Sequence, residues 1–111
     1  MKRTSCSKAK AVEMFPGVIR KTLAYNQDTM LCHFLLKPGA TIPLHHHKPT
    51  QIGYVVRGRA EFLAANDADS FIVQAGDAYV FDPDVHHGAH ALEETELVEV
   101  FHPSRSEYQD F

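Results

Sequence analysis

The chain has 111 residues, 44% hydrophobic and 23% charged, with a formal charge of -3. That bounds it to one globular domain with a single core, and Lys and Arg scattered beyond a short basic start (Lys2, Arg3, Lys8, Lys10) give no footprint for nucleic acid. No apolar run approaches a bilayer span and residues 1–10 lack the apolar centre of a secretory signal, so a cytoplasmic protein with neither membrane nor nucleic-acid partners is expected.

Helix-period patterns are missing almost throughout, while short runs of Val, Ile, Phe, Tyr and Leu recur between Gly, Pro, Asn and Asp. Strands are predicted at 12–15, 18–25, 30–36, 41–45, 51–57, 59–65, 70–74, 78–81, 86–91 and 96–101. Turns fall at 26–28, 37–39, 57–59, 65–69, 76–77 and 82–84. The rhythm is that of a small all-β barrel or sandwich, with a barrel core over about 12–102. Residues 103–111 are polar with two aromatics and read as a tail, a helical turn or a flap over the barrel. Cys6 lies in the polar start and Cys32 within an apolar run; two such cysteines do not make a disulfide framework, and Cys32 reads as a core residue.

Eight histidines are the oddity of the composition. In Gly39 to Gly58, G-A-T-I-P-L-H-H-H-K-P-T-Q-I-G-Y-V-V-R-G, alternation along an extended chain sends His45 and His47 to one side, about 7 Å apart, and His46 to the other. Two imidazoles on one face can share a metal ion. A turn through Pro49 would bring the Gln51 carbonyl toward the same pair, although an amide bonding a backbone edge is the plainer role for that residue.

The spacing of Gly39, His45, His47, Gln51 and Gly58, followed by Gly76 and His87 in G-D-A-Y-V-F-D-P-D-V-H-H, resembles the two motifs of the cupin superfamily. Gln51 stands for the usual Glu, Asp82 and Asp84 for Pro and Gly, and Ala91 for Asn. The resemblance covers roughly residues 30 to 101 and implies one cupin domain over 1–111, a double-sheet or jelly-roll-like barrel. It also implies a metal held by His45, His47, Gln51 and His87. Zinc, nickel, iron, cobalt and manganese all suit such donors. A neutral Gln51 would leave the ion's double charge undiminished, and so a stronger Lewis acid. His33, His46, His86, His90 and His102 match no ligand position.

In E-L-V-E-V-F, Leu97, Glu99 and Phe101 share one strand face. A carboxylate in so apolar a strand needs a cation, a wet cavity or a salt bridge to an arginine such as Arg57 or Arg105. Glu99, Phe101 and Arg105 also resemble the C-terminal triplet of a family of small cupins of pectin and alginate catabolism, in which Asp stands at the place of Glu99. That resemblance implies a homodimer that linearises 4,5-unsaturated uronates, with Glu99 moving a proton, Phe101 packing on the sugar and Arg105 binding its carboxylate. An iron-dependent dioxygenase and a non-catalytic binder of a sugar or small acid are the rival readings of the same residues.

Overall fold

A computed structural model describes residues 1–110. It is all-β apart from short 3-10 turns at Cys6–Lys8, Asp67–Asp69 and Ser106–Tyr108. The strands are β1 (Ala11–Phe15), β2 (Val18–Tyr25), β3 (Met30–Leu36), β4 (Thr41–His45), β5 (Thr50–Arg57), β6 (Arg59–Ala64), β7 (Phe71–Gln74), β8 (Ala78–Phe81), β9 (His87–Ala91) and β10 (Thr95–His102). Each predicted strand is present, with ends moved by a residue or so. The largest trim has a local cause: Asn66 caps the 3-10 turn through its side chain and the Ser70 hydroxyl accepts from the Ala64 amide, so the link takes residues assigned to both flanking strands. No described helix is long and apolar enough to cross a membrane.

Two antiparallel sheets face each other, one ordered β1-β2-β3-β10-β5-β8 and the other β4-β9-β6-β7. Strict alternation in β3 and β10 turns Met30, Cys32, Phe34 and Leu36, and Thr95, Leu97, Glu99 and Phe101, toward the core. Register then stacks these residues in rows across the sheet. Phe101 pairs with Gln51, and Gln51 with Phe81; the next inward row runs Cys32, Glu99, Gly53, Tyr79; the next runs Phe34, Leu97, Val55. On the outer face Arg57 is held by Glu94 and Glu96, and Glu96 also meets His33. Arg57 is therefore not the partner of Glu99.

The tail packs inward as a turn. Tyr108 is buried beside Phe34 and Phe101, and the Thr22 hydroxyl donates to its carbonyl at 2.6 Å. Arg20, only 2% exposed, pairs with Asp110 and lies 4.3 Å from the centre of the Tyr108 ring. The expected 103–111 segment ends in Phe111, which lies outside the described residues.

Cys32 is buried, and desolvation pushes its thiol up to about 11, whereas Cys6 is exposed. A thiol-reagent titration is expected to find one fast thiol in the native protein and the second only after unfolding.

Candidate metal centre and acid cavity

β4 is irregular. Its register against β9 slips between Ile42 and His45 at Pro43 and Leu44, which leaves Leu44 exposed and sets His45 opposite His87. Regular alternation from inward Ile42 would have put Leu44 inside and His45 outside; the bulge reverses the phase. The bulge needs Gly88 beneath it, because a Cβ there would lie 2.7 Å from the Ile42 carbonyl. His47 lies beyond the end of β4, so the link rather than a continuous strand brings it back toward His45.

Ring centroids are 4.4 Å apart for His45 and His87, 5.0 Å for His47 and His87, and 5.7 Å for His45 and His47. One ring nitrogen from each lies within 4.8 Å of the others. Each Nδ1 sits against a backbone carbonyl, of Pro43 for His45, Pro49 for His47 and Val85 for His87, at 2.8 to 2.9 Å. A carbonyl only accepts, so each Nδ1 carries the hydrogen and each Nε2 keeps its lone pair. Burial lowers the pKa of all three rings, that of His87 to about 4, and keeps them neutral near pH 7.

Two details show how these residues fit an ion. His87 Nε2 is buried without a hydrogen-bond partner. Gln51 Oε1 lies 3.0 Å from His47 Nε2, while the same amide donates its Nε2 hydrogen to Glu99 Oε2 at 2.6 Å. The amide thus aims an acceptor at an acceptor, an arrangement that a cation between them stabilises. Histidine nitrogens with an amide oxygen form a donor set suited to a divalent transition metal.

Glu99 is 4% exposed and accepts a second hydrogen bond on Oε2, at 2.5 Å from the Tyr79 hydroxyl. Desolvation raises its pKa, opposed by the two hydrogen bonds and by Arg105. The same burial, with Glu99 beside it, raises the Tyr79 pKa well above that of a free phenol, so Tyr79 stays a donor. Tyr79 reaches Glu99 over Gly53, which sits between them in the sheet; a Cβ on Gly53 would come within 2.3 Å of the tyrosine ring.

A cavity of about 320 Å³ is lined by His45, Gln51, His87, Glu99 and Arg105 among others. Arg105 is 11% exposed in its side chain, pairs with Glu107 at 3.5 Å, and holds its guanidinium 5.1 Å from the Phe101 ring centre and 4.1 Å from that of Tyr108. The structure therefore brings together all seven residues singled out from sequence: His45, His47, Gln51, His87, Glu99, Phe101 and Arg105. His46 also borders the cavity, but its ring lies 4.4 Å from that of His86, tilted by 38°, and its Nδ1 faces Asp84 at 3.6 Å. His90 meets the Thr41 hydroxyl, His33 meets Glu96 and His102 is exposed.

Tyr79, Arg20 and Tyr108 were not anticipated. The A-Y-V-F alternation does put Tyr79 and Phe81 on one face, but its reach to Glu99 depends on long-range register and on Gly53.

A barrel of two antiparallel sheets with histidines converging at one end defines a cupin-type protein. The Cupin domain family model matches residues 32–102, and the chain belongs to that family. It is 31% identical over 98 residues to the pectin degradation protein KdgF of Dickeya dadantii (strain 3937), covering 86% of this chain and 87% of that protein. KdgF from Halomonas sp. superposes with a TM-score of 0.87 at 29% identity, over 96% of this chain and 97% of the other. An RmlC-like cupin from Shewanella frigidimarina NCIMB 400 gives 0.89 at 25% identity, over 97% and 96%. The chain is thus a small cupin resembling KdgF.

Divalent metal added to chelator-treated protein is expected to raise Tm in the wild type and to do so far less in His87→Ala, whose affinity should fall by about tenfold or more. Gly53→Ala is expected to destabilise by roughly 1–3 kcal/mol in chemical denaturation, since the added methyl displaces the Tyr79 ring.

Proposed function

We propose that this cupin is a metal-dependent enzyme of pectin or alginate breakdown that opens 4,5-unsaturated uronates to the linear keto acid. The observation that carries the reading is a buried, hydrogen-bonded carboxylate, Glu99, lining one cavity with the histidine cluster and Arg105. The match to a protein named for pectin degradation across most of both chains supports the same reading.

His45, His47, His87 and Gln51 would hold the ion, which when bound supplies Lewis acidity toward substrate oxygens. Arg105 pairs its planar fork with the sugar carboxylate, held in place by Phe101 and Tyr108. Phe101 packs against the sugar. Glu99 takes the proton of the anomeric hydroxyl as the ring carbon–oxygen bond breaks, which leaves an aldehyde and an enolate. It then returns that proton to the enolate carbon, and the ketone forms with atoms and electrons balanced. Both of its hydrogen bonds land on Oε2, which leaves Oε1 for the substrate. The same tether supports glutamate in place of aspartate, because Tyr79 and Gln51 fix where the longer side chain ends.

A homodimer is part of the proposal. Ile52, Tyr54, Val56 and Val80 stand exposed on the outer face of the six-stranded sheet, a surface whose burial would favour pairing. Light scattering on a sizing column is expected to give twice the chain mass, and Tyr54→Lys with Val80→Lys to reduce it to one.

The activity test follows loss of the conjugated double bond's ultraviolet absorbance on mixing protein with unsaturated mono-uronate. Wild-type protein is expected to exceed the spontaneous rate, Glu99→Gln to lose about 10²- to 10⁴-fold in kcat, and Arg105→Met to act mainly on KM. A wild-type rate equal to the spontaneous one, with metal loaded, overturns the proposal. Oxygen uptake insensitive to Glu99→Gln would instead favour a dioxygenase.

A further inference from the structure

Ring opening uses only one end of the cavity. The register orders its lining along the strands: the row of Phe101, Gln51 and Phe81, then Glu99, then Leu97 with Phe34, each step along a strand pair being about 6.8 Å. Beyond Glu99, Phe34 and Leu97 line the cavity, whose other apolar lining includes Phe15, Ile42 and Phe62. Sugar hydroxyls pressed against such a wall would lose water and gain no partner. An apolar or aryl group would gain from the same burial.

We infer that this centre has a second activity, keto–enol interconversion of α-keto acids that carry an apolar or aryl substituent; this rests on the roles of Glu99 and Arg105 given above. The enol of such an acid presents a carboxylate, an adjacent enol oxygen and a carbon awaiting a proton. Those are the features left once a uronate ring has opened. Arg105 pairs with the carboxylate, and the substituent lies along Phe34 and Leu97. Glu99, through Oε1, takes the proton from the enol oxygen and returns it to the carbon. The oxygen's electron pair completes the carbonyl, the carbon–carbon π pair takes the proton, and no oxidant or second reactant is consumed. Because the tether from Tyr79 and Gln51 occupies Oε2 alone, the same carboxylate can serve both substrates without moving.

Phenylpyruvate is the probe. Its enol, freshly dissolved, is mixed with metal-loaded protein and the decay of the enol ultraviolet band is compared with the buffer rate. The expected result is an acceleration of roughly 10² or more, lost in Glu99→Gln, with the enol of oxaloacetate, whose substituent is a carboxylate, accelerated at least tenfold less. Keto phenylpyruvate should also inhibit uronate turnover competitively. Where Glu99→Gln melts early, Arg105→Met supplies the comparison. No acceleration alongside active uronate turnover overturns this inference alone; failure of both reactions overturns the uronate reading with it. Acceleration that survives both variants, or equal action on oxaloacetate, removes the activity from this cavity.

Discussion

A carboxylate with almost no exposed surface sits at the centre of this barrel, and much of the interior is arranged to keep it there. Glu99 faces Cys32 on one side and Gly53 on the other, in a row that is otherwise core. An unpartnered charge at such a site would be prohibitively costly, so the site provides two donors, the Tyr79 hydroxyl and the Gln51 amide. Each donor has a structural consequence. Tyr79 can reach only because the residue between them lacks a side chain. Gln51, having turned its nitrogen to Glu99, must turn its oxygen toward His47. The orientation of an amide thus couples the acid to the histidine cluster.

The histidines are organised by backbone rather than by one another. Three carbonyls, each two residues from the ring it contacts, hold the Nδ1 hydrogens and aim the Nε2 lone pairs inward. The bulge in β4 sets His45 facing His87, with Gly88 making room beneath it. Burial then keeps the rings neutral, the form in which imidazole binds a metal. On the far side of Glu99 the walls become apolar, and across the cavity the tail fixes Arg105 by stacking it on Phe101 and Tyr108. One pocket therefore carries a polar end, a buried carboxylate and an apolar end in sequence.

Much of this was legible in the chain because period-2 alternation is a local property. The run from Glu96 to Phe101 is enough to put Glu99 on one face with Leu97 and Phe101, and the motif spacing is enough to group His45, His47, Gln51 and His87. What stayed hidden was whatever depends on register between distant strands. β10 lies between β3 and β5, so the path from Tyr79 over Gly53 to Glu99 crosses three strands that no local pattern aligns. The bulge is the instructive case. Alternation along an extended chain put His45 and His47 on one side, whereas His47 lies past the end of the strand at His45 and a phase slip before that end does the aiming. Arg20 reads as an ordinary strand cation until the tail, brought back by the fold, covers it with Tyr108 and Asp110.

The coupling between Gln51, Glu99 and the histidines is tested most directly by anomalous-scattering crystallography on protein purified without a histidine tag and supplied with a divalent transition metal. The account predicts one ion per chain, contacted by the Nε2 atoms of His45, His47 and His87 and by Gln51 Oε1, with the Gln51 nitrogen still on Glu99. An ion bound through Nδ1 atoms, an ion elsewhere with the cluster bare, or a Gln51 amide turned away from Glu99 would contradict it.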